Sequence, residues 1–169
     1  FPLNPPIVEN SLKNEISPIF VFEITINLKK PNIKVLAVQK EILEEKKCEF
    51  VININHEAPK TISRFKSRLV LRKGAKVGFY GSIRLGPEAD WADGDLDAKA
   101  LLAGENLFWE ALPGLDIENK TAVARHRASS AGFDESLVSY LKSRGFGPKE
   151  ARKILEESFL REAEGLFYN

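Results

Sequence analysis

The sequence predicts a mainly β domain that ends in an α-helical hairpin. Three observations carry this reading. Apolar residues alternate with polar ones over short stretches, the period of a half-buried strand. Brief turns rich in Gly, Pro and Asn separate those stretches. The last forty or so residues change to the helical period, with a start signal and a stop signal for each of two helices. The divisions expected are an arm over residues 1–17, a β-body over 18–131 and a helical hairpin over 132–169.

In order along the chain, "FPLNPPIVEN" is proline-rich and without pattern, which suits an arm or a strand edge. "IFVFEITINL" then sets Phe20, Phe22, Ile24, Ile26 and Leu28 on one face and Val21, Glu23, Thr25 and Asn27 on the other. Lys30-Pro31-Asn32 reads as a turn, and "IKVLAVQKEIL" as a strand whose end could also be a short helix. "CEFVININH" alternates again, and "SRLVLRKGAKVGFYGSIRLGP" gives two strands split at Lys73-Gly74. "ALLAGENLFWEALPGLDIEN" gives further short pieces. Small residues (Ala75, Gly78, Gly81, Ala89, Ala100, Ala103) recur as they would where stacked coils crowd inward. No clean repeat period emerges, so periodicity leaves a β-helix, a sandwich and a cupin-like barrel open.

The hairpin is punctuated more sharply. Asp134 stands at an N-cap, acid follows in the first turn, Lys142 and Arg144 fall in the last turn, and Gly145 takes the position after the helix. Pro148, behind Gly147, opens a second helix. Its stripe is expected to run Ala151, Ile154, Leu155, Ser158, Phe159, Glu162 and Leu166. Arg152/Glu156, Lys153/Glu157 and Glu157/Arg161 make opposite-charge pairs four apart on the expected wet side.

Composition excludes several classes. The chain has 169 residues, 43% of them hydrophobic, enough for one domain with a small appendage. No apolar run approaches the roughly 20 residues of a membrane span, and no secretory leader opens the chain. The sequence starts at Phe1 and has no methionine, so a fragment, a processed form or the ordered part of a longer protein is expected. Net charge is +1, which gives no general field for nucleic acid. Cys48 is the only cysteine, so a reducing cytoplasm is the expected setting.

No nucleophile–base pair, glycine-rich phosphate loop or metal-spaced cluster occurs, which argues against an autonomous enzyme. Cys48 reads as a small core residue. His56, at the polar end of a strand, reads as structural. From Lys60 to Lys76 there are seven basic residues and no acid, expected to scatter over more than one face. "EADWADGDLD" lacks the spacing and closing Glu of a calcium loop and reads as an exposed turn attracted to that basic stretch. Trp91 within it is either a contact residue or packed on a neighbouring coil. His126 stands between Arg125 and Arg127; on a strand those neighbours point to the opposite face.

Four stretches resemble the SufB/SufD family, scaffold subunits of the Suf iron–sulfur cluster assembly system. "HEAPKTISR" at 56–64 is similar to its His-x-Ala-Pro-x-Thr-x-Ser stretch, and "VGFYGSIRLGPEA" to its Phe-x-Gly-x-Ile coil. "LPGLDIENKTAVARHRASS" resembles its Pro-x-Leu-x-Ile segment leading to a strand with a histidine. "LVSYLKSRGFGPKEARKIL" resembles its helical hairpin. The order and spacing match over about residues 50 to 160.

The resemblance implies a right-handed parallel β-helix (β-solenoid), short or truncated for the family, with a C-terminal helical hairpin. It implies a non-catalytic scaffold nearer the cysteine-poor SufD side. A SufC-like ABC ATPase would dock on the hairpin through Phe133, Leu137, Tyr140, Leu141, Arg144 and Phe159. A SufB/SufD-type partner, or a second copy, would pair through Val123, Arg125, His126 and Arg127. His126 would be the metal or cluster candidate, for an iron–sulfur cluster or iron held transiently and shared with the partner. Many relatives carry a cysteine, the preferred cluster ligand, two residues before this histidine; here Ala124 stands there. Two other readings compete. One is a cupin- or solenoid-type metal-binding β-protein using His56 and His126 together. The other is an interaction module that has lost cluster chemistry.

Overall fold

The computed structural model describes residues 18–167. Among these residues, eight parallel strands of ten residues each form two four-stranded sheets. The first holds β1 (Ile19–Leu28), β3 (Lys47–His56), β5 (Lys76–Leu85) and β7 (Phe108–Ile117) in that order. The second holds β2 (Lys34–Leu43), β4 (Ile62–Leu71), β6 (Asp93–Leu102) and β8 (Val123–Gly132). The chain crosses from one sheet to the other after every strand. It therefore winds as four stacked coils, β1–β2 to β7–β8, around a flattened lumen. This is a parallel β-solenoid; the sandwich and barrel alternatives are excluded. The arm expected over residues 1–17 lies outside the described residues.

Alternation decides which side chains enter the lumen. In the first sheet the inward rows are Phe22–Phe50–Phe79–Ala111, Ile26–Ile54–Ile83–Leu115 and their neighbours, aligned rung on rung without offset. Phe22 stacks on Phe50 with ring centroids 5.2 Å apart, and Phe79 tilts against Trp109. Phe50, Phe79, Ile52, Ile54 and Leu69 are fully buried. At about 25 cal/mol per Å², each such side chain contributes about 1.5–3 kcal/mol. The inward set read for β1 is the one observed, and Cys48 is buried among the core residues. Gly78, expected inward, lies on the outer face under the Tyr80 ring.

The corners repeat. Asn32, Lys60 and Trp91 each take a left-handed backbone at one corner, and Glu45, Gly74 and Asn106 do so at the other. Their amides bond to the next coil: Asn32 N–H donates to the Pro59 carbonyl, Lys60 N–H to that of Asp90, and Gly74 N–H to that of Glu105. The Trp91 backbone N–H donates to the Thr121 hydroxyl at 3.0 Å, and the residue is 67% exposed, so it does not pack on a neighbouring coil.

One reading of the charged stretches is corrected, from Asp93 onward. Asp93–Leu102 is β6, not an exposed turn. The seven basic residues do fall on more than one face, with Lys60 and Lys73 at corners and Lys76 on β5, but Arg64, Lys66 and Arg68 share the outer face of β4. The expected attraction is present: Arg64 pairs with Asp93, and Arg68 with Asp97.

Helix α1 (Glu135–Ser143) starts at Asp134, whose carboxylate accepts from the Ser136 amide at 2.9 Å. It stops at Gly145, whose φ of +95° suits glycine. Helix α2 (Pro148–Arg161) has proline at its start as expected, and passes into a 3-10 segment, Glu162–Phe167, before the expected stripe reaches Leu166. The hairpin does not close the end of the tube. It lies on the outer face of the second sheet, and the inward residues Leu115 and Ile117 of the last coil are left about half exposed.

Candidate functional site

Three groups of residues are worth separating: the two histidines, the last strand, and the hairpin with its attachment.

His56 is 1% exposed at the end of β3. Its Nδ1 and Nε2 lie 2.8 Å from the hydroxyls of Thr61 and Ser63. The Thr61 hydroxyl donates its one proton to the Ala58 carbonyl, so it accepts from Nδ1–H, and Nε2 accepts from Ser63. Burial pushes the His56 pKa down to about 4, against the pull of the Asp93 carboxylate. Both ring nitrogens are occupied, so His56 is structural, as expected. The stretch "HEAPKTISR" is thus a closed polar network that ends one strand and starts the next.

His126 faces inward from β8, in register with Leu96. Both of its ring nitrogens are buried and neither meets a hydrogen-bond partner of good geometry. Burial pushes its pKa below the usual histidine value, while the Gly114 backbone and the Asp95 carboxylate pull it back. It is therefore a neutral imidazole with uncommitted nitrogens, the form that ligates metals. It sits two coils above His56, roughly 10 Å along the stack at the usual strand spacing. That separation and His56's own bonds rule out one metal held by both histidines. Among the described residues no group of three or more His, Cys, Asp or Glu is placed to hold a metal.

Val123, Arg125 and Arg127 share the opposite, outer face of β8, where all three are exposed. Arg125 reaches Asp93 at 2.8 Å and Arg127 reaches Asp95 at 3.0 Å. The β6 carboxylates thus stand between arginines of β4 and β8, and the basic stretch is locally neutralised.

The hairpin is held to the flank by ions. Arg68, 1% exposed, bonds Asp97 at 2.7 Å and Glu162 at 3.2 Å. Lys99 holds Glu162 at 2.9 Å, Arg72 holds Glu156 at 2.6 Å, and Lys40 holds Glu164. Burial raises the Glu162 carboxyl, but Lys99 and Arg68 outweigh it and keep it below the usual range. Glu156 is therefore buried against Arg72, not on the wet side with Arg152, which turns to Glu135 at 3.5 Å and stacks over Phe133. Lys153 and Glu157 do meet, at 4.0 Å. Sequence reasoning missed this clamp. Its signal was the acidic run in the C-terminal helix matched to cations spaced along the body.

Of the hairpin residues singled out, Leu137 and Tyr140 are about half exposed, and Arg144 stacks on the Tyr140 ring at 5.3 Å. Phe133, Leu137 and Phe159 line a cavity of about 270 Å³ between the helices and Leu101 of β6. Leu141 is half-buried. Phe146, one of the hairpin's apolar residues, joins the exposed set.

A short parallel β-solenoid carrying an ion-clamped helical hairpin is the class that fold and site define. The family model for the core domain of SufBD, of the SUF system for FeS cluster assembly, matches residues 18–159. The chain belongs to that family. It is 27% identical over 105 residues to the iron–sulfur cluster assembly protein SufB of Bacillus subtilis strain 168, covering 62% of this chain and 23% of that protein. SufBD-family iron–sulfur cluster assembly proteins of Staphylococcus saprophyticus and Staphylococcus aureus are 26% identical over the same shares. The match thus spans about a quarter of these relatives' length. No helix among the described residues is long and apolar enough to cross a membrane.

Proposed function

We propose that this chain is the scaffold portion of a SufB/SufD-type subunit in iron–sulfur cluster assembly. It docks a SufC-like ABC ATPase on its C-terminal helices and pairs, with a SufB/SufD-type partner or a second copy, through its last coil. It performs no turnover itself and works in a reducing cytoplasm. The observation that carries this reading is the hairpin: its apolar side chains Leu137, Tyr140 and Phe146 are left exposed on a unit that acidic residues clamp to the body. A movement of the docked motor would load Glu156 and Glu162, then Arg72 and Arg68, then Asp97. Arg127 of β8 lies 3.8 Å from Asp97, so the load ends on the strand that carries His126. Cluster or iron is the cargo, and His126 is the proposed protein ligand, with the partner supplying the rest.

Tyr140→Glu with Leu141→Glu is expected to abolish capture of a SufC-like ATPase while the β-body keeps its thermal transition. Capture that survives overturns the hairpin assignment. In anaerobic reconstitution with iron, sulfide and the paired partner, His126→Ala is expected to lower cluster yield; an unchanged yield removes His126 as ligand. Ala124 in the place of a thiolate favours a second reading, a module that binds the same partners without ligating the cluster. Under that reading capture depends on Tyr140 and Leu141, and cluster yield ignores His126.

A further inference from the structure

Resting on the reading of His126 as the working group of the last coil, we infer that Gly81 is its positioning residue: the missing side chain at Gly81 makes the seat that keeps the imidazole inside the lumen. Gly81 interrupts an inward row that is otherwise bulky, Ile24, Ile52, Gly81, Pro113. A Cβ built on Gly81 would lie 2.7 Å from His126 Cε1 and 3.0 Å from both His126 Nε2 and Leu96 Cδ1. Carbon atoms in ordinary contact stand about 3.5–4.0 Å apart, so even alanine displaces the ring. The ring cannot retreat across its own strand neighbours, because Leu96, in register beneath it, is fully buried. It can leave only toward the open end of the last coil.

The other histidine repeats the arrangement. His56 belongs to the second coil and His126 to the fourth, and each reaches across the lumen to a glycine of the third coil in the opposite sheet. For His56 that glycine is Gly94, whose added Cβ would stand 3.3 Å from Nε2 and 2.8 Å from Ile83 Cγ2. The consequences differ. His56 is fixed by two hydroxyls as well as by its glycine. His126 has the glycine, and its ring nitrogens meet only the Gly114 backbone, without good hydrogen-bond geometry. Its position is thus set mainly by shape, and a side chain held in that way can swing out while giving up no well-formed hydrogen bond. Gly81 decides how far the imidazole is withdrawn, and therefore how readily a ligand arriving at the open end meets it.

The chain has only two histidines, so one reagent reads both. Carbethoxylation by diethyl pyrocarbonate, followed by peptide mass spectrometry, is expected to modify His126 slowly in the native protein and severalfold faster in Gly81→Ala. His56 should stay protected in both. Thermal melts of Gly81→Ala, His126→Ala and the double variant separate seating from general packing. Gly81→Ala should lower Tm in the native background and much less in the His126→Ala background. An unchanged His126 rate in folded Gly81→Ala, or an equal Tm loss in both backgrounds, overturns the assignment. If Gly81→Ala alone does not fold, folding of the double variant supports the seat and its failure to fold overturns it. None of these readouts depends on cluster yield, so loss of the ligand role would leave them standing.

Discussion

His56 and His126 look alike in the sequence and differ in what surrounds the ring. His56 is neutral in the fold because burial strips water from the ring, which two hydroxyls hold in place. Its folded pKa, about 4, is below the unfolded value of 6.5. Between those values the unfolded chain binds more protons, so stability is full above about pH 6.5 and falls as pH drops toward 4. The loss should reach about 3 kcal/mol. Urea midpoints at pH 7.5 and 4.5 should differ accordingly, and His56→Gln should remove most of that difference. A pH-independent midpoint in the wild-type chain would contradict the assignment. The motif around His56 was legible as a resemblance, and its structural role as a strand end. The network that explains it was not, because Thr61 and Ser63 reach the ring only after the chain has turned a corner. For His126 the alternation of a strand correctly put the arginines on the far face. The seat at Gly81 was hidden because that contact joins residues 45 positions apart across the lumen.

At the scale of elements, the period of two identified β1 to β5 and failed at β6. Asp93, Asp95 and Asp97 occupy alternate positions, with Gly94, Leu96 and Ala98 between them on the inner face. Two of these three inner residues are small and all three outer ones are acidic, so composition imitated a turn. The arginines of β4 and β8 make that outer face tolerable. The helices were legible to within a residue at their capped ends, because Asp134, Gly145 and Pro148 act locally. Their docking was not local. The Arg68–Asp97–Glu162 cluster is its centre, and removing the guanidinium leaves the buried Asp97 with only the more distant Arg127. Arg68→Ala should cost about 3–5 kcal/mol. Glu162→Gln should act more gently, raising amide hydrogen exchange in α2 with little change in β3 to β6. High salt should do the same, since at 1 M the screening length falls to about 3 Å. If α2 exchange ignores both, the hairpin is held by packing alone.

For the whole molecule, the repeat was present and could not be seen. Rungs of the first sheet begin at residues 19, 47, 76 and 108, and those of the second at 34, 62, 93 and 123. Corner loops of unequal length blur the spacing, while the ten-residue strands stay constant. Energetics follow the stack, because each coil touches only its neighbours. The coils of β3–β4 and β5–β6 are covered on both sides, and the coil of β7–β8 on one. Hydrogen exchange should therefore be slowest in β3 to β6 and faster in β7 and β8. Uniform protection along the stack would mean that the coils open only as a unit.

The hairpin's place on the flank has a further effect. A handle fixed to the side of a column leaves the column's upper mouth clear. If the proposed partners bind as suggested, a motor on the handle and a companion subunit reaching the mouth would have separate room. Each could arrive or depart while the other stays, and a sideways tug would shear one wall of the column without prising its top open.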